Sequence, residues 1–270
     1  MYLQRKIASS MVCKIIFLCI LFSACTPKKP DTTPEERQKI RSFLNEFLFV
    51  EGAVYTLLGD KPISQMLIFI GKDEDRAELS EEQLKTAIFV DDSTITNWPA
   101  WLHFIRKFPS KDFILAERPC QRDAHHVIYS LVNIARVKDV LAQHRPVFEQ
   151  KIGSHFDIDS VIHQFQDPRS TFWRKAFADH YLSGLLFGYG EENIAYFIDR
   201  MKDQEIANAF SDEYDPCATA GKFPLPIFAT SACDQTSKRY REQRRTIQEI
   251  YRGKDIVDVT MQRYCNSLIF

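Results

Sequence analysis

A cysteine and two histidines lie close together near the middle of the chain, at Cys120, His125 and His126. A thiol beside an imidazole can act as a nucleophile with its base. The surrounding residues match no cysteine-hydrolase signature, and the partners of such nucleophiles usually lie far apart in sequence. We therefore expect a buried or disulfide-linked cysteine beside partly exposed histidines, and the sequence assigns no catalytic residue.

A second group of polar side chains has the right atoms for a metal ion, at His155, Asp157, Asp159 and His163. Asp159 and His163 are four residues apart, which places them on one face of a helix. A metal site needs three or four converging ligands, and the chain contains neither HExxH nor CxxC. We expect Asp157 to cap a short helix, and we predict no metal and no cofactor.

Paired carboxylates occur at 91–92, 191–192 and 212–213, and two carboxylates are the catalytic groups of a glycosidase. Glu191 and Glu192 follow Gly188-Tyr189-Gly190 and begin a predicted helix, where the helix dipole favours negative charge. The glycines lack the GxGxxG spacing of a phosphate-binding turn and follow a helix rather than a strand. We expect them to end one helix and form a sharp turn.

The strongest cluster of positive charge lies on a predicted helix near the C-terminus. Its members are Lys238, Arg239, Arg241, Arg244 and Arg245. The apolar residues Ile247, Ile250 and Tyr251 give this helix a second side, so it could rest on anionic lipid or on an acidic partner. A solvated face paired with nearby glutamates is the favoured interpretation.

The composition predicts a folded protein with a sizeable core. Of 270 residues, 45% are hydrophobic, including 21 Phe and 10 Tyr, whereas only 9 Gly argue against a barrel or sandwich rich in tight turns. The net charge is only −1, and neutralising phosphates over a long surface needs many clustered basic residues. This balance excludes a general nucleic-acid binder.

The first residues have the order of a secretory signal. The basic residues Arg5, Lys6 and Lys14 precede an apolar run, Ile15 to Phe22, and the small residues 23–24. This run is too short for a bilayer, which needs about 20 apolar residues. A polar, proline-rich tether follows, so we divide the chain into a signal peptide (1–24), a tether (25–33) and a globular domain (34–270).

The end of this signal, Leu21-Phe22-Ser23-Ala24-Cys25, resembles the lipobox of bacterial prolipoproteins. That family has leucine where this chain has Phe22, and its other positions match at residues 23–25. The resemblance implies cleavage before Cys25, acylation of its sulfur with palmitate-type chains, and an exported protein anchored in the inner or outer membrane of a bacterial cell envelope. The alternative is a cysteine that follows a signal anchor. Removing residues 1–24 takes away three basic residues, which brings the net charge from −1 to −4.

Four cysteines remain after the lipid site, at positions 120, 217, 233 and 265. Cys217 and Cys233 flank a loop-like stretch, and a disulfide between them would close that loop. In an exported protein the redox compartment favours such a bridge. Buried free thiols are the alternative.

Periodicity and caps predict a helix-dominated α+β fold in one globular domain with a few short strands. A capping box at Thr33 and Glu36 begins a helix that ends near Val50. Two β-rich runs flank Gly59-Asp60-Lys61-Pro62, which predicts a hairpin or two short strands. A further capping box stands at Ser80, and Asn97 is a predicted cap before Trp98.

Further along, a strand is predicted over 113–117, and the longest helix runs from Asp123 to Pro146. Thr171 to Phe187 reads as one mostly buried helix, and another covers 191–201. The basic helix covers 236–251, and residues 256–270 fit either a helix or a strand.

Two stretches are similar to motifs in uncharacterised lipoproteins of intracellular bacteria. They are Tyr55-Thr-Leu-Leu-Gly-Asp-Lys-Pro62 and Leu185-Leu-Phe-Gly-Tyr-Gly-Glu-Glu-Asn193. The resemblance implies no activity. If the two stretches pack together, we expect a pocket lined by Tyr55, Asp60, Lys61, Tyr189 and Asn193.

The sequence therefore predicts a membrane-anchored envelope lipoprotein that binds a partner or scaffolds an assembly without catalysis. Its partners would be the bilayer, through acylated Cys25, and an envelope protein, with no nucleic acid. The alternative is an envelope hydrolase that acts on peptidoglycan, glycan or lipid through carboxylates or through Cys120 and His125.

Overall fold

In a computed structural model of the protein, a three-stranded antiparallel sheet lies between two groups of buried helical residues. The structure describes residues 32–50, 52–69, 92–120, 126–201, 225–226 and 234–265. One compact unit spans Pro34–Phe270. The predicted helix-dominated α+β fold in a single globular domain is confirmed.

The sheet has the order β1-β3-β2, with β1 at Ile63–Phe69, β2 at Phe113–Pro119 and β3 at His126–Asn133. In the central strand, Leu131 stands opposite Ser64 of β1 and Leu115 of β2. Side chains alternate between the two faces of a strand. Leu131 therefore belongs to one face of the sheet, whereas its neighbour Val132 belongs to the other.

The other regular elements of the described chain are helical. They are α1 (Pro34–Asn45), a π-helical turn (Glu46–Val50), α2 (Val54–Leu58), α3 (Asp92–Lys107), α4 (Ile134–Gln143), α5 (Arg145–Ile152), α6 (Ile158–His163), a 3-10 turn (Gln164–Gln166), α7 (Thr171–Ala178), α8 (His180–Leu186), α9 (Glu191–Met201), α10 (Gln235–Tyr251) and α11 (Ile256–Cys265).

One face of the sheet packs against helices from both ends of the chain. This core contains Tyr129 and Leu131 of β3 together with side chains of α1 to α3, α10 and α11. Its aromatic rings touch closely: the ring centroids of Phe43 and Trp98 are 5.0 Å apart, and those of Trp101 and Tyr264 are 5.7 Å apart. The N-terminal and C-terminal helices thus share one core.

The other face packs against α4 to α9. Val132 of β3 and Ala116 of β2 lie in this second core with Phe148, Phe165 and Trp173. The Trp173 indole is 1% exposed and donates a hydrogen bond from Nε1 to the carbonyl oxygen of Val161 at 2.6 Å. The sheet is therefore covered on both faces.

Side-chain caps fix where several of these helices begin. Asp157 Oδ2 accepts a hydrogen bond from the backbone N–H of Ser160 at 2.7 Å, as the sequence predicted. Asp234 caps α10 in the same way through the N–H of Ser237. Each cap satisfies a backbone donor that has no partner within its own helix.

Around residues 59–62 the sequence predicted a hairpin or two short strands. The second strand is confirmed as β1, whereas the first strand and the hairpin are wrong. Val54–Leu58 forms the short helix α2, and β1 pairs with β3, which lies far away in sequence. Four consecutive residues of α2, from Val54 to Leu57, are buried. A short run that is apolar on every side does not distinguish a strand from a buried helix.

The predicted long helix from Asp123 to Pro146 is also wrong. Its first part is β3, and α4 begins only at Ile134, where Asn133 accepts a hydrogen bond from the N–H of Arg136. A central strand that is covered on both faces is apolar at consecutive positions, which also fits the broad apolar face of a helix.

The predicted single helix over 171–187 is two helices. Asp179 adopts an extended conformation (φ −94°, ψ 119°), ends α7 and caps α8 through the N–H groups of Tyr181 and Leu182. Asn97 lies inside α3 rather than at its start. The helices near 34–50, 191–201 and 236–251 and the strand near 113–117 are confirmed, and residues 256–265 are helical. Ser80 lies outside the described residues.

Candidate functional site

The two stretches that the sequence singled out meet on the first half of α10. The ring of Tyr55 stands edge-on to that of Tyr240, with centroids 5.4 Å apart. The carbonyl oxygen of Gly188 accepts hydrogen bonds from Tyr240 Oη and Arg239 Nη2, both at 3.0 Å. Arg239 Nε also lies 3.5 Å from Asp60 Oδ2. We call this contact region the α10 junction.

Asn193 belongs to the same junction. Its side-chain Nδ2 donates to the carbonyl oxygen of Tyr189 at 2.9 Å and to Asp234 Oδ2 at 2.5 Å. Burial raises the pKa of Asp234, but the hydrogen bonds from Ser237 and Asn193 outweigh it, so the net pKa is lowered. Asp234 therefore stays charged at neutral pH and ties α9 to the start of α10.

Contacts at the α10 junction are made by four of the five residues of the predicted pocket, Tyr55, Asp60, Tyr189 and Asn193. Tyr55, Lys61 and Asn193 are 0%, 5% and 4% exposed. Burial raises the pKa of Tyr55, and its buried hydroxyl forms no hydrogen bond with a described residue. The contacts at the α10 junction join three parts of the chain, namely residues 55–60, residues 188–193 and α10. These residues therefore have a structural role.

The residues of the predicted basic surface differ in exposure. Lys238 and Arg245 are exposed, whereas Arg241 and Arg244 are half-buried. Arg239 lies over the Tyr240 ring at 4.8 Å and reaches the Gly188 carbonyl. The charged group of Arg239 therefore makes contacts within the fold.

The cysteine–histidine group is only partly described. Cys120 is a half-buried free thiol, not a disulfide, and its N–H donates to the carbonyl oxygen of His126 at 3.0 Å. His126 is 5% exposed. His125 and the cysteines Cys25, Cys217 and Cys233 lie outside the described residues, as do the carboxylates at 212–213.

Three of the four candidate metal-ligating side chains at 155–163 make contacts within the fold. His155 Nδ1 lies 2.9 Å from Glu149, and Asp159 lies 2.5 Å from Lys138 Nζ. Asp157 caps α6. Within the described ranges, no three His, Cys, Asp or Glu side chains converge as a metal ion requires.

A cleft that the sequence did not predict lies between α3 and β2. Its volume is about 490 Å³, within the range of roughly 300–1,000 Å³ typical of ligand sites. The walls are mostly apolar and include Leu102 and Ile105 of α3, Phe113 and Leu115 of β2, and Tyr264 of α11. We call it the β2 cleft.

The backbone of β2 shows which of its groups face the cleft. At the two ends of the strand, Ile134 N–H donates to the Asp112 carbonyl at 2.9 Å, and Cys120 N–H donates to the His126 carbonyl at 3.0 Å. In an antiparallel ladder, hydrogen-bonded pairs alternate with pairs that are not bonded. The even-numbered residues of β2 therefore bond to β3, and the odd-numbered ones point the other way.

Three further contacts agree with this register. The carbonyl oxygen of Leu115 accepts a hydrogen bond from Gln166 Nε2 at 3.2 Å, and the N–H of Phe113 donates to Ser110 Oγ at 3.3 Å. Pro119 also occupies an odd position, where its missing N–H removes no bond to β3. The N–H groups of Leu115 and Glu117 face the cleft and form no hydrogen bond with a described residue.

The two ends of the cleft carry opposite charges. Arg106, in the last turn of α3, is exposed and forms no ion pair with any described residue. Glu117 lies near the other end of β2, where one carboxylate oxygen accepts a hydrogen bond from Trp98 Nε1 at 3.4 Å. The cleft thus has a positive end, an apolar middle and a negative end.

Beside this cleft, on the opposite face of β2, Arg118 lies between two rings. Its guanidinium carbon is 4.8 Å from the centroid of Phe165 and 4.5 Å from that of Phe177. Burial lowers the pKa of Arg118 to about 10, and its Nε forms no hydrogen bond with any described residue. The stacked rings partly replace the water that a charged group loses on burial.

The sequence held one signal for the β2 cleft, namely a proline at the end of a predicted strand. Proline in a sheet is found mainly on edge strands. The order of the strands and the register decide the rest, and neither follows from the sequence.

No described helix is long and apolar enough to cross a membrane. No family model, curated protein or solved structure matches this chain. The fold and the β2 cleft therefore carry the functional argument.

Proposed function

We propose that this protein is a lipid-anchored protein of the bacterial cell envelope that binds a partner in the β2 cleft. The observation that carries the binding role is the cleft itself. It combines apolar walls with backbone N–H groups at Leu115 and Glu117 that are unbonded within the described residues. Concave sites that pair apolar walls with a few polar groups are the usual form of ligand sites.

The anchor is supported by the residues before the fold. The run Ile15 to Phe22 and the residues 23–25 resemble a lipobox. Several acyl chains on Cys25 would hold the protein durably, since each buried CH₂ contributes about 0.8 kcal/mol and one chain alone holds only marginally. The tether of residues 26–33 would keep the folded domain near the bilayer.

Site-specific photo-cross-linking in intact cells tests the binding role. A benzophenone side chain at Leu102, which lines the cleft, should give a discrete adduct with an envelope component. The same group at exposed Glu192, on α9, is the matched control. Adducts of equal yield from both positions, or none from Leu102, would contradict binding in the cleft.

Labelling with an alkyne fatty acid tests the anchor. The wild-type chain should be labelled and Cys25→Ala should not, with a parallel loss from the membrane fraction. Equal labelling of the two chains would remove the lipid anchor from the proposal.

The alternative, an envelope hydrolase that uses Cys120 and His125, stays a prediction because His125 lies outside the described residues. A Cys120→Ser variant that lost turnover of a peptidoglycan, glycan or lipid substrate would favour it.

A further inference from the structure

We infer that the β2 cleft takes an extended peptide segment of another protein, which joins β2 as a fourth strand of the sheet. This inference rests on the proposed binding role and names the class of ligand. An extended peptide can bind an open sheet edge through main-chain hydrogen bonds, while its side chains enter pockets beside the edge.

The backbone groups of β2 that face the cleft have the pattern that an added strand needs. The N–H groups of Leu115 and Glu117 point into the cleft and are unbonded within the described residues. They lie two residues apart, which is the spacing at which a neighbouring strand offers its carbonyl oxygens. The opposite edge of β2 is already paired with β3 along its whole length.

Gln166 already bonds to β2 where an added strand would. Its side-chain amide donates to the Leu115 carbonyl at 3.2 Å, in the place where the backbone N–H of an added strand would donate. Gln166 is exposed and lies in a short 3-10 turn, so its side chain can turn away when a strand arrives.

The walls of the cleft also suit an added strand. Leu102 and Ile105 of α3 line it together with Phe113 and Leu115 of β2. A strand laid along β2 would place alternate side chains against these walls. If the occupant were β2 of a second copy of this chain, that strand would arrive with the copy's own α3 beside it. The walls of the cleft therefore favour an isolated segment.

The charged residues at the two ends of the cleft also define the ligand. Arg106 lies near the start of β2 and Glu117 near its end. A peptide with an acidic residue at the Arg106 end and a basic residue at the Glu117 end would complement both charges. The class of ligand is therefore an extended segment with an apolar or β-branched middle and opposite charges at its ends.

Fluorescence anisotropy with the full chain in detergent micelles tests the inference. The probes are the fluorescein-labelled peptides Glu-Val-Thr-Val-Lys, Lys-Val-Thr-Val-Glu, Glu-Val-Thr-Val-Glu and Lys-Val-Thr-Val-Lys. At least one peptide with opposite end charges should bind about 3-fold or more tightly than both like-charged peptides. No binding by any peptide at roughly 1 mM would overturn the inference.

Backbone methylation separates strand addition from other modes of peptide binding. In an added strand, alternate N–H groups face β2, so the bound peptide is compared in two forms that are N-methylated at its odd or at its even positions. One form should lose about 10-fold or more in affinity and the other should lose little. Equal effects of the two forms would rule out strand addition.

On the protein side, Glu117→Pro is compared with Glu117→Ala. Both variants lack the carboxylate, but only proline removes the N–H that faces the cleft. The proline variant should bind the peptide about 3- to 10-fold more weakly than the alanine variant. Equal affinities, with unchanged far-UV circular dichroism, would overturn the role of this donor. If the proline variant fails to fold, the methylated peptides decide.

Two other occupants have distinct outcomes. A concentration-dependent dimer that Glu117→Pro abolishes would show β2 pairing between copies and would overturn the inference. Peptide binding only after residues 266–270 are deleted would show that this chain fills its own cleft. In either case, partner adducts from Leu102 in cells would still support the proposed binding role, so the two proposals can fail separately.

Discussion

Gln166 donates a hydrogen bond to the carbonyl oxygen of Leu115, which an incoming strand would use as an acceptor. Its hydrogen bond to Leu115 contributes about 0.5–1.5 kcal/mol and must break before a peptide binds there. We therefore expect Gln166→Ala to bind the peptide about 2- to 10-fold more tightly in the anisotropy assay.

Gln164→Ala is the matched control for this variant. Gln164 lies in the same 3-10 turn but bonds to Ser160 and Ser170 instead of β2. Its replacement should leave peptide affinity unchanged. A Gln166→Ala variant that bound no better than wild type would show that Gln166 does not compete with the peptide.

Asp234 combines two roles in one carboxylate, because it caps α10 and accepts a hydrogen bond from Asn193. Asp234→Ala should lower the free energy of unfolding in urea by about 2–4 kcal/mol, from the cap and from the bond to Asn193. Asp157 is an exposed cap, and Asp157→Ala should lower the free energy of unfolding by only about 1 kcal/mol.

The cost of Asp234→Ala also depends on pH. The native pKa of Asp234 is lowered, so its contribution is complete above its unfolded pKa of about 3.9 and is lost as the pH falls through the native value. Wild type and Asp234→Ala should therefore converge in stability below about pH 4. A difference that stayed constant as the pH fell well below about 4 would contradict the role of the charged carboxylate.

At the level of elements, glycines allow the turn between α8 and α9 to pack closely against α10. Gly188 has a φ of +73°, and a Cβ there would lie 2.6 Å from Tyr240 Oη and 3.0 Å from Pro62 Cδ. We expect Gly188→Ala to lower the free energy of unfolding by about 2–4 kcal/mol, from backbone strain and from crowding at the α10 junction.

Gly153→Ala isolates the backbone contribution. Gly153 has a similar φ of +77°, but a Cβ at this position would meet no described atom within 4 Å. This control should lower the free energy of unfolding by about 1–2 kcal/mol, which is the contribution of backbone strain alone. Equal losses for the two variants would show that the contact of Gly188 with Tyr240 and Pro62 contributes little.

The strand β2 illustrates how one element serves two purposes. Its even-numbered backbone groups hold the sheet together, and its odd-numbered groups face the cleft. Binding at the cleft would therefore extend the sheet without breaking any bond to β3.

For the whole molecule, the shared central strand predicts cooperative unfolding. Leu131 and Val132 are neighbours in β3, yet they lie in different cores. If β3 left one core, it would also leave the other, and the apolar residues of both cores would be exposed. We expect a single unfolding transition in urea, in which both cores unfold together.

The three tryptophans allow this to be measured. Trp98 and Trp101 report on one core and Trp173 on the other. A Trp173→Phe variant and a Trp98→Phe/Trp101→Phe variant should each show fluorescence and circular dichroism transitions with the same midpoint. Separate midpoints within either variant would show that the two cores unfold independently.

For the stretches around Tyr55 and Tyr189, the sequence predicted a pocket only on the condition that the two packed together. Their meeting on α10 depends on the tertiary structure. The β2 cleft was not predictable, because it depends on which neighbour each strand of the sheet receives. Register then decides that the N–H groups of Leu115 and Glu117, rather than those of Ile114 and Ala116, face the cleft.

The sequence by itself determined the features that depend on nearby residues. Asp157 and Asp234 begin helices because a cap acts on a backbone donor only three residues away. The apolar run and small residues before Cys25 predict the anchor for the same local reason.

Only the tertiary structure decided that residues 126–133 form a strand and that β2 borders a cleft. The apolar run of β3 fits a helix or a strand equally well, until helices from both ends of the chain cover one face of the sheet and α4 to α9 cover the other. Burial on both faces then favours an extended strand, whose hydrogen bonds are completed by β1 and β2.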